Sequence, residues 1–257
     1  MSLLSGMSVA PSYCFYRTLD PSPPSTITFD RHYLLYSVRG ALRLIDEDRA
    51  WSLPPSRAAW IAADTPIHFE IKHPVTCCSV LYSVDAIDAP NQALRVFEMS
   101  PLARDMVHAC RKWNADRPFP HTLADSMFQT LGLLCRDLAA SPSNCWIPRG
   151  RTDRLKKAIE FTEARLDQSI TIDEAASAAG LSPRSLARRF ADETGMTWRQ
   201  VQRRMRMIRA IEILANEADP VTQVAFRTGY NSLSAFNAAF RAFTGCSPSE
   251  YRAISVD

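Results

Sequence analysis

No stretch of this 257-residue chain approaches the roughly 20 consecutive apolar residues that a membrane helix needs. The opening MSLLSGMSVAPS has no basic segment leading into a sustained apolar core, so no secretory leader is expected. The seven cysteines are odd in number and scattered, and none forms a CxxC pair. That excludes the usual zinc-cluster spacing and points to reduced thiols in a cytoplasmic protein, with a thiol sensor as the lesser alternative. Cys77 and Cys78 are neighbours in a strand-like run and should point to opposite faces. Neither sign of charge dominates: 30 Lys and Arg stand against 27 Asp and Glu, for a net +3.

The distribution of that charge is more telling than its sum. Residues 1–150 carry 14 basic and 14 acidic side chains, and residues 151–257 carry 16 and 13. Within 182–209, eight arginines face only Asp192 and Glu193. A concentrated arginine patch beside a neutral half is the footprint of a polyanion-binding module, although a solvated helix face would look similar.

The two halves follow different patterns. SYCFYRTL, HYLLYSV, ALRLI, RAWSL, AAWIA, IHFEI and TCCSVLYSV are short aromatic and β-branched runs. Turn material separates them, including Pro21–Pro24, Arg39–Gly40, Asp46–Asp48, Pro54–Pro55 and Asp64–Pro66, and the spacing predicts a β-sandwich or barrel. Two amphipathic helices should follow, over 100–113 and 121–140. The first is capped by Ser100 and Pro101, with Leu102, Met106 and Val107 inward; the second turns Leu123, Met127, Leu131 and Leu134 inward. Residues 141–150 read as a linker. The predicted fold class is therefore α+β, with a domain at 1–145 and an all-helical one at 146–257.

From Arg151 onward no strand is expected. Thr171 and Glu174 form a capping box, and Gly180 ends the helix it opens. Ser182 and Pro183 start the next helix, which Gly195 stops. Thr197 begins a long helix reaching about Asn216. Asp219–Pro220 opens another, ended by Gly229, and Ser232 caps LSAFNAAFRAFT before Gly245. Helix, glycine turn and helix thus occur twice, at about 171–194 and 219–244, and each copy reads as a helix-turn-helix.

In such a unit the second helix enters the major groove of double-stranded DNA. In the first unit Leu186 and Phe190 should be buried, leaving Arg184, Ala187, Arg188 and Ala191 outward. Arginine can bind guanine O6 and N7 through both arms of its guanidinium, so Arg184, Ala187 and Arg188 are the base-reading candidates. Ser185 and Arg189, on the flank, suit phosphates. In the second unit Phe236, Ala239, Phe240 and Phe243 should be buried. Ser234, Asn237 and Ala238 are then the base-reading set, Asn237 suiting adenine, with Arg241 on phosphate. Arg199, Arg203 and Arg206 share a face of the long helix, and Arg203 is the phosphate candidate there; plain solvation of that face is the alternative.

TIDEAASAAGLSPRSLARRFADETGMT and VTQVAFRTGYNSLSAFNAAFRAFTGCSPSEYR resemble the AraC/XylS family of bacterial transcription regulators. Gly180–Leu181–Ser182, Phe190, Gly195, Ala225, Gly229–Tyr230, Ser232, Phe236, Phe240, Gly245, Pro248 and Tyr251–Arg252 carry the likeness. Many members have an arginine where this chain has Ala238. The stretch YLLYSVRGALRLIDEDRAWSLPPSRAAWIAADTPIHFEI resembles the cupin-type sensor barrel of one branch of that family. Ile27 and Phe29 stand where metal-binding cupins place an H-x-H pair, and His32 and His68 alone do not make a site, so no metal or other cofactor is expected. Tyr36, Arg43, Trp60 and His68 are the candidate effector-pocket residues.

The resemblance implies a transcription regulator that binds promoter DNA and a small organic effector, with RNA polymerase a further candidate partner. No enzymatic activity is expected, no membrane is implied, and monomer and homodimer both remain open. A regulator whose barrel only dimerises is the alternative. A cupin enzyme would need a metal cluster or acid–base pair, and a repair regulator with a four-cysteine zinc site would need cysteines grouped differently.

Overall fold

The computed structural model describes residues 10–46, 48–55 and 57–256. Most of the opening segment, and with it the expectation about a leader, lies outside the described residues. The chain divides into two compact units that do not follow chain order: Met1–Leu42 with Pro55–Ser143, and Arg43–Pro54 with Asn144–Asp257.

Among the described residues, ten strands form two five-stranded sheets. They are β1 (Ser12–Leu19), β2 (Ser22–Ile27), β3 (His32–Arg39), β4 (Leu42–Ile45), β5 (Arg49–Leu53), β6 (Arg57–Ile61), β7 (Ile67–Ile71), β8 (Val75–Tyr82), β9 (Leu94–Glu98) and β10 (Trp146–Pro148). One sheet, in the order β1-β8-β3-β6-β9, lies within the first unit, and its neighbours are antiparallel. Of the second sheet, β2 and β7 pair within the first unit and β5 and β10 pair within the second. Strand β4 begins in one unit and continues in the other.

Three strands were not legible in the sequence. Strand β2 runs through Pro23 and Pro24, which read as turn material; it is the last strand of its sheet, where a missing N–H costs no ladder bond. Strands β9 and β10 are short, and β10 lies inside the segment read as linker.

Helices α1 (Pro101–Cys110) and α2 (Thr122–Leu138) cover one face of the first sheet. Ser100 caps α1 as expected, but Leu102 and Leu123 are exposed. The buried stripes are Ala103, Met106, Val107 and Cys110 on α1 and Ala124, Phe128, Leu131, Gly132 and Cys135 on α2. Met106, Val107 and Leu131 are inward as expected, Met127 and Leu134 pack partly against the same core, and Ala103 and Ala124 are buried where Leu102 and Leu123 are not. Gly132 lets α2 lie close to the segment that follows β8: a Cβ there would lie 2.2 Å from Ile87 Cδ1. Cys77 and Cys78 do point apart, and both are buried, since this sheet is covered on both faces.

The second unit holds α3 (Asp153–Glu163), α4 (Ile172–Ala178), α5 (Pro183–Thr194), α6 (Trp198–Asn216), α7 (Val221–Arg227), α8 (Leu233–Thr244) and α9 (Pro248–Val256). Hairpin β4–β5 joins this unit through local chemistry. Arg43 forms an ion pair with Glu163 of α3, and Ser52 Oγ donates to Glu212 Oε1 of α6 at 2.9 Å.

The helix-turn-helix repeats share their turn geometry. Leu181 N–H donates to Ala176 O at 2.9 Å and Tyr230 N–H to Ala225 O at 3.0 Å, each closing a helix over a left-handed glycine, Gly180 at φ 63° and Gly229 at φ 76°. The surroundings of the two glycines differ. Space around Gly180 is open, whereas a Cβ on Gly229 would lie 2.2 Å from Leu166 O and 2.5 Å from Arg206 Nη2. Gly180→Ala is therefore expected to cost about 1 kcal/mol, the left-handed penalty alone. Gly229→Ala should cost about 3 kcal/mol or more, because overpacking adds to that penalty. Denaturant titrations of both variants check this, and equal losses would contradict it.

Candidate nucleic-acid interface

Helices α5 and α8 are built alike. Each starts on a serine whose hydroxyl accepts a backbone N–H, Ser182 from Ser185 at 3.2 Å and Ser232 from Ala235 at 3.4 Å. Each ends on a left-handed glycine, Gly195 or Gly245. Just before it, a threonine hydroxyl donates to the carbonyl of a buried phenylalanine, Thr194 to Phe190 at 2.6 Å and Thr244 to Phe240 at 2.9 Å. On α5 only Leu186 and Phe190 are buried, and on α8 Phe236, Ala239 and Phe240 are. Everything else on each helix is left exposed or partly so.

The base-reading candidates all fall on the open side. Arg184, Ala187 and Arg188 on α5 are exposed, as are Ser234, Asn237 and Ala238 on α8. Arg184, Arg188 and Asn237 have no ion pair or side-chain hydrogen bond to any described residue. Two guanidiniums and an amide are thus held on short, capped helices with their donors unspent.

The phosphate candidates are less uniform. Ser185 Oγ is bonded to Ser182 Oγ at 2.9 Å. Arg189 is half-buried and reaches Thr152 Oγ1 at 3.4 Å and Glu193 Oε1 at 3.5 Å. Arg241 lies 3.6 Å from Glu250 with both side chains well exposed, a pairing weak enough to exchange for another anion. Arg203 is exposed at the rim of a groove of about 280 Å³ between α6 and α8, also lined by Gln200, Arg204, Ala242 and Phe243.

Two of the arginines in the patch have structural roles that charge counting could not show. Arg206 does not share an open face with Arg199 and Arg203. It is half-buried, donates to Gln168 O at 2.8 Å and lies 5.9 Å from the Tyr230 ring, and burial lowers its pKa. Arg204 stacks on Trp146 at 4.6 Å and on Phe243 at 5.6 Å while donating to Asn144 O.

The effector-pocket candidates do not converge. Tyr36 and Trp60 share the face of the first sheet that α1 and α2 cover, where Trp60 meets the Tyr82 ring at 5.4 Å and Tyr36 the His108 ring at 6.0 Å. His68 is exposed and bonded to Thr26 Oγ1 at 2.8 Å. Arg43 belongs to the other unit, paired with Glu163. Sequence reasoning also missed Arg57, which is fully buried and donates to Ser143 Oγ at 2.8 Å and Glu98 Oε1 at 2.9 Å. An arginine between Pro54–Pro55 and an apolar strand was the signal available. Among the described residues, no three His, Cys, Asp or Glu side chains group so as to hold a metal ion, and no helix is long and apolar enough to cross a membrane.

Two helix-turn-helix units on one chain, each presenting polar side chains from its second helix, define a DNA-binding protein of the double helix-turn-helix class. Residues 175–254 match the family described as a helix-turn-helix domain. The chain is 23% identical to the HTH-type transcriptional regulator NimR of Escherichia coli (strain K12) over 94% of its length and 87% of that protein. It is 36% identical to VqsM of Pseudomonas aeruginosa over 38% of its length and 30% of that protein, and 31% identical to the activator RhaS of Klebsiella pneumoniae over 38% and 36%. Among solved structures, an AraC-type regulator from Chromobacterium violaceum superposes at TM-score 0.39 with 25% identity, covering 40% of this chain and 93% of that one. ToxT from Vibrio cholerae superposes at TM-score 0.42 with 11% identity, covering 96% and 100%. Residues 175–254 thus carry the helix-turn-helix domain, and the relatives matched are named transcriptional regulators or activators.

Glu193 shows how α5 is held in place. Its carboxylate accepts from Arg151 N at 2.7 Å, Thr152 N at 2.9 Å and Thr152 Oγ1 at 2.8 Å, capping α3 from the end of α5. Partial burial works against its charge, but these bonds and Arg189 outweigh it and hold the carboxyl below the usual range. A depressed carboxylate pKa stabilises the fold at pH above the ordinary glutamate value of about 4.3, and that contribution is lost as pH falls through the folded value. Glu193→Gln should therefore cost about 1–2 kcal/mol at pH 7. The gap should close toward pH 3 in paired unfolding curves, and a pH-independent gap would contradict the assignment.

Proposed function

We propose that α5 and α8 read one asymmetric promoter site, with Arg184, Ala187 and Arg188 on the bases of one half and Ser234, Asn237 and Ala238 on those of the other. The observation that carries this is the exposed and unspent state of Arg184, Arg188 and Asn237 on helices otherwise anchored by buried phenylalanines. Arg203 and Arg241 hold phosphates, with Ser185 and Arg189 contributing from the flank of α5. The functional division follows the chain, with residues 1–145 sensing and 146–257 binding DNA. The protein acts in the cytoplasm, as monomer or homodimer, by touching DNA and RNA polymerase and not by catalysis.

We further infer that the sheet unit takes a small organic effector without a metal. Trp60 Nε1 supports this, because it is a buried donor with no hydrogen-bond partner among the described residues. A ligand acceptor would relieve that deficit, which costs about 1–3 kcal/mol. Thermal melts of the full chain against a metabolite panel should show a stabilising compound whose effect survives EDTA and is lost in Trp60→Phe. Stabilisation abolished by EDTA would refute the metal-free reading.

For DNA, Arg188→Ala should cost about 1–3 kcal/mol on the specific site and much less on random duplex. Arg203→Ala should weaken both alike and lower the salt slope by about one unit. Binding titrations at several salt concentrations separate the two, and equal losses for Arg188→Ala on specific and random DNA would refute its role.

A further inference from the structure

The open face of α8 carries an apolar side chain that the base-reading set above does not include. Leu233 is the first residue of α8, directly after the Ser232 cap, and is 39% exposed. An exposed leucine is ordinary on a protein surface. Its position is what distinguishes this one. Leu233 lies one turn before Asn237, four residues apart on the same face, at the end of the helix that meets base edges in a helix-turn-helix. Leu233 stands at the edge of the stripe of Phe236, Ala239 and Phe240 that α8 buries, yet keeps 39% of its surface exposed.

The groups around it limit what it can recognise. On this face Ser234, Ala235 and Ala238 are short, Asn237 is the one amide, and Arg241 comes a turn later. The first two turns of α8 carry no arginine to read guanine, in contrast to Arg184 and Arg188 on α5. The only apolar feature a base pair offers in the major groove is the thymine C5-methyl group. A branched side chain at the helix tip buries such a methyl, while an asparagine one turn on suits adenine N6 and N7.

We propose that Leu233 is a specificity-determining residue that reads a thymine methyl, so that α8 selects A·T pairs where α5 selects guanine. This rests on the assignment of α8 as a reading helix. Both partners of the contact lose water on binding, and burying one methyl is worth about 0.8 kcal/mol, a factor of about four in affinity.

The test uses the full-length chain and a duplex selected from a random pool. The half-site under α8 is located as the positions whose preference is lost in Asn237→Ala. Each thymine there is then replaced singly by deoxyuridine, which removes only the methyl. Wild type should lose about threefold to fivefold at one such position. Leu233→Ser should be insensitive at that position while keeping its thermal midpoint and its guanine preference in the other half. Leu233→Gln should turn the preferred base there to adenine. The proposal is overturned if no thymine in that half is sensitive, or if Leu233→Ser keeps the same sensitivity. Failure of the reading-helix assignment looks different: Asn237→Ala would then change no base preference at all.

Discussion

Burial of the second half of helix α6 on nearly every side is the constraint on which the DNA-binding unit depends. Trp198, Val201 and Met205 line one stripe of its first turns. From Met207 to Ala215 the buried positions are Met207, Ile208, Ala210, Ile211, Ile213, Leu214 and Ala215, too many for a single face. Over that second half no residue is fully exposed, and the helix contacts α3, α7, α8 and α9. Trp198 Nε1 adds a directional tie, donating at 3.0 Å to Thr162 Oγ1 within the core. At roughly 1.5–3 kcal/mol for each large side chain buried, this packing outweighs any one hydrogen bond in the unit. It makes the two helix-turn-helix repeats parts of one body, so that α5 and α8 are presented at a fixed separation.

The repeats themselves are close copies with different neighbours. Both use the same cap, glycine and threonine devices, which is why the sequence made them legible. Asn231 lengthens the second turn by one residue relative to the first, and Gly229 is pressed against Leu166 and Arg206 where Gly180 is free. The faces they expose also differ in chemistry, guanidinium on α5 and amide with apolar groups on α8. Under the proposed function, these dissimilar faces would give the bound site a direction.

What the sequence could show was set by the range of the interactions involved. Caps, glycine turns and helix periodicity are local, so Thr171, Ser182, Thr197, Ser232 and the glycines placed the helices well. Which arginines remain unpaired depends on residues distant in the chain, so Arg206, bonded to Gln168 O, could not be told from Arg188 by charge alone. Similarly, the partner of Arg43 is Glu163, far along the sequence, and no strand pattern indicates that Arg43–Pro54 groups with the helices. In α1 and α2 the periodicity placed Met106, Val107 and Leu131 inward correctly, but at the first turns Ala103 and Ala124 are buried in place of Leu102 and Leu123.

The central claim, that one chain reads two successive groove faces through α5 and α8, is tested most directly by footprinting the full-length protein on its selected duplex at known stoichiometry. Reading helices held on one body enter the major groove about one turn, or ~34 Å, apart. The account predicts an asymmetric protected stretch of about 15–20 base pairs for each bound chain, without internal palindromy. A minimal site that is strictly palindromic, with one half protected by each of two chains, would contradict it.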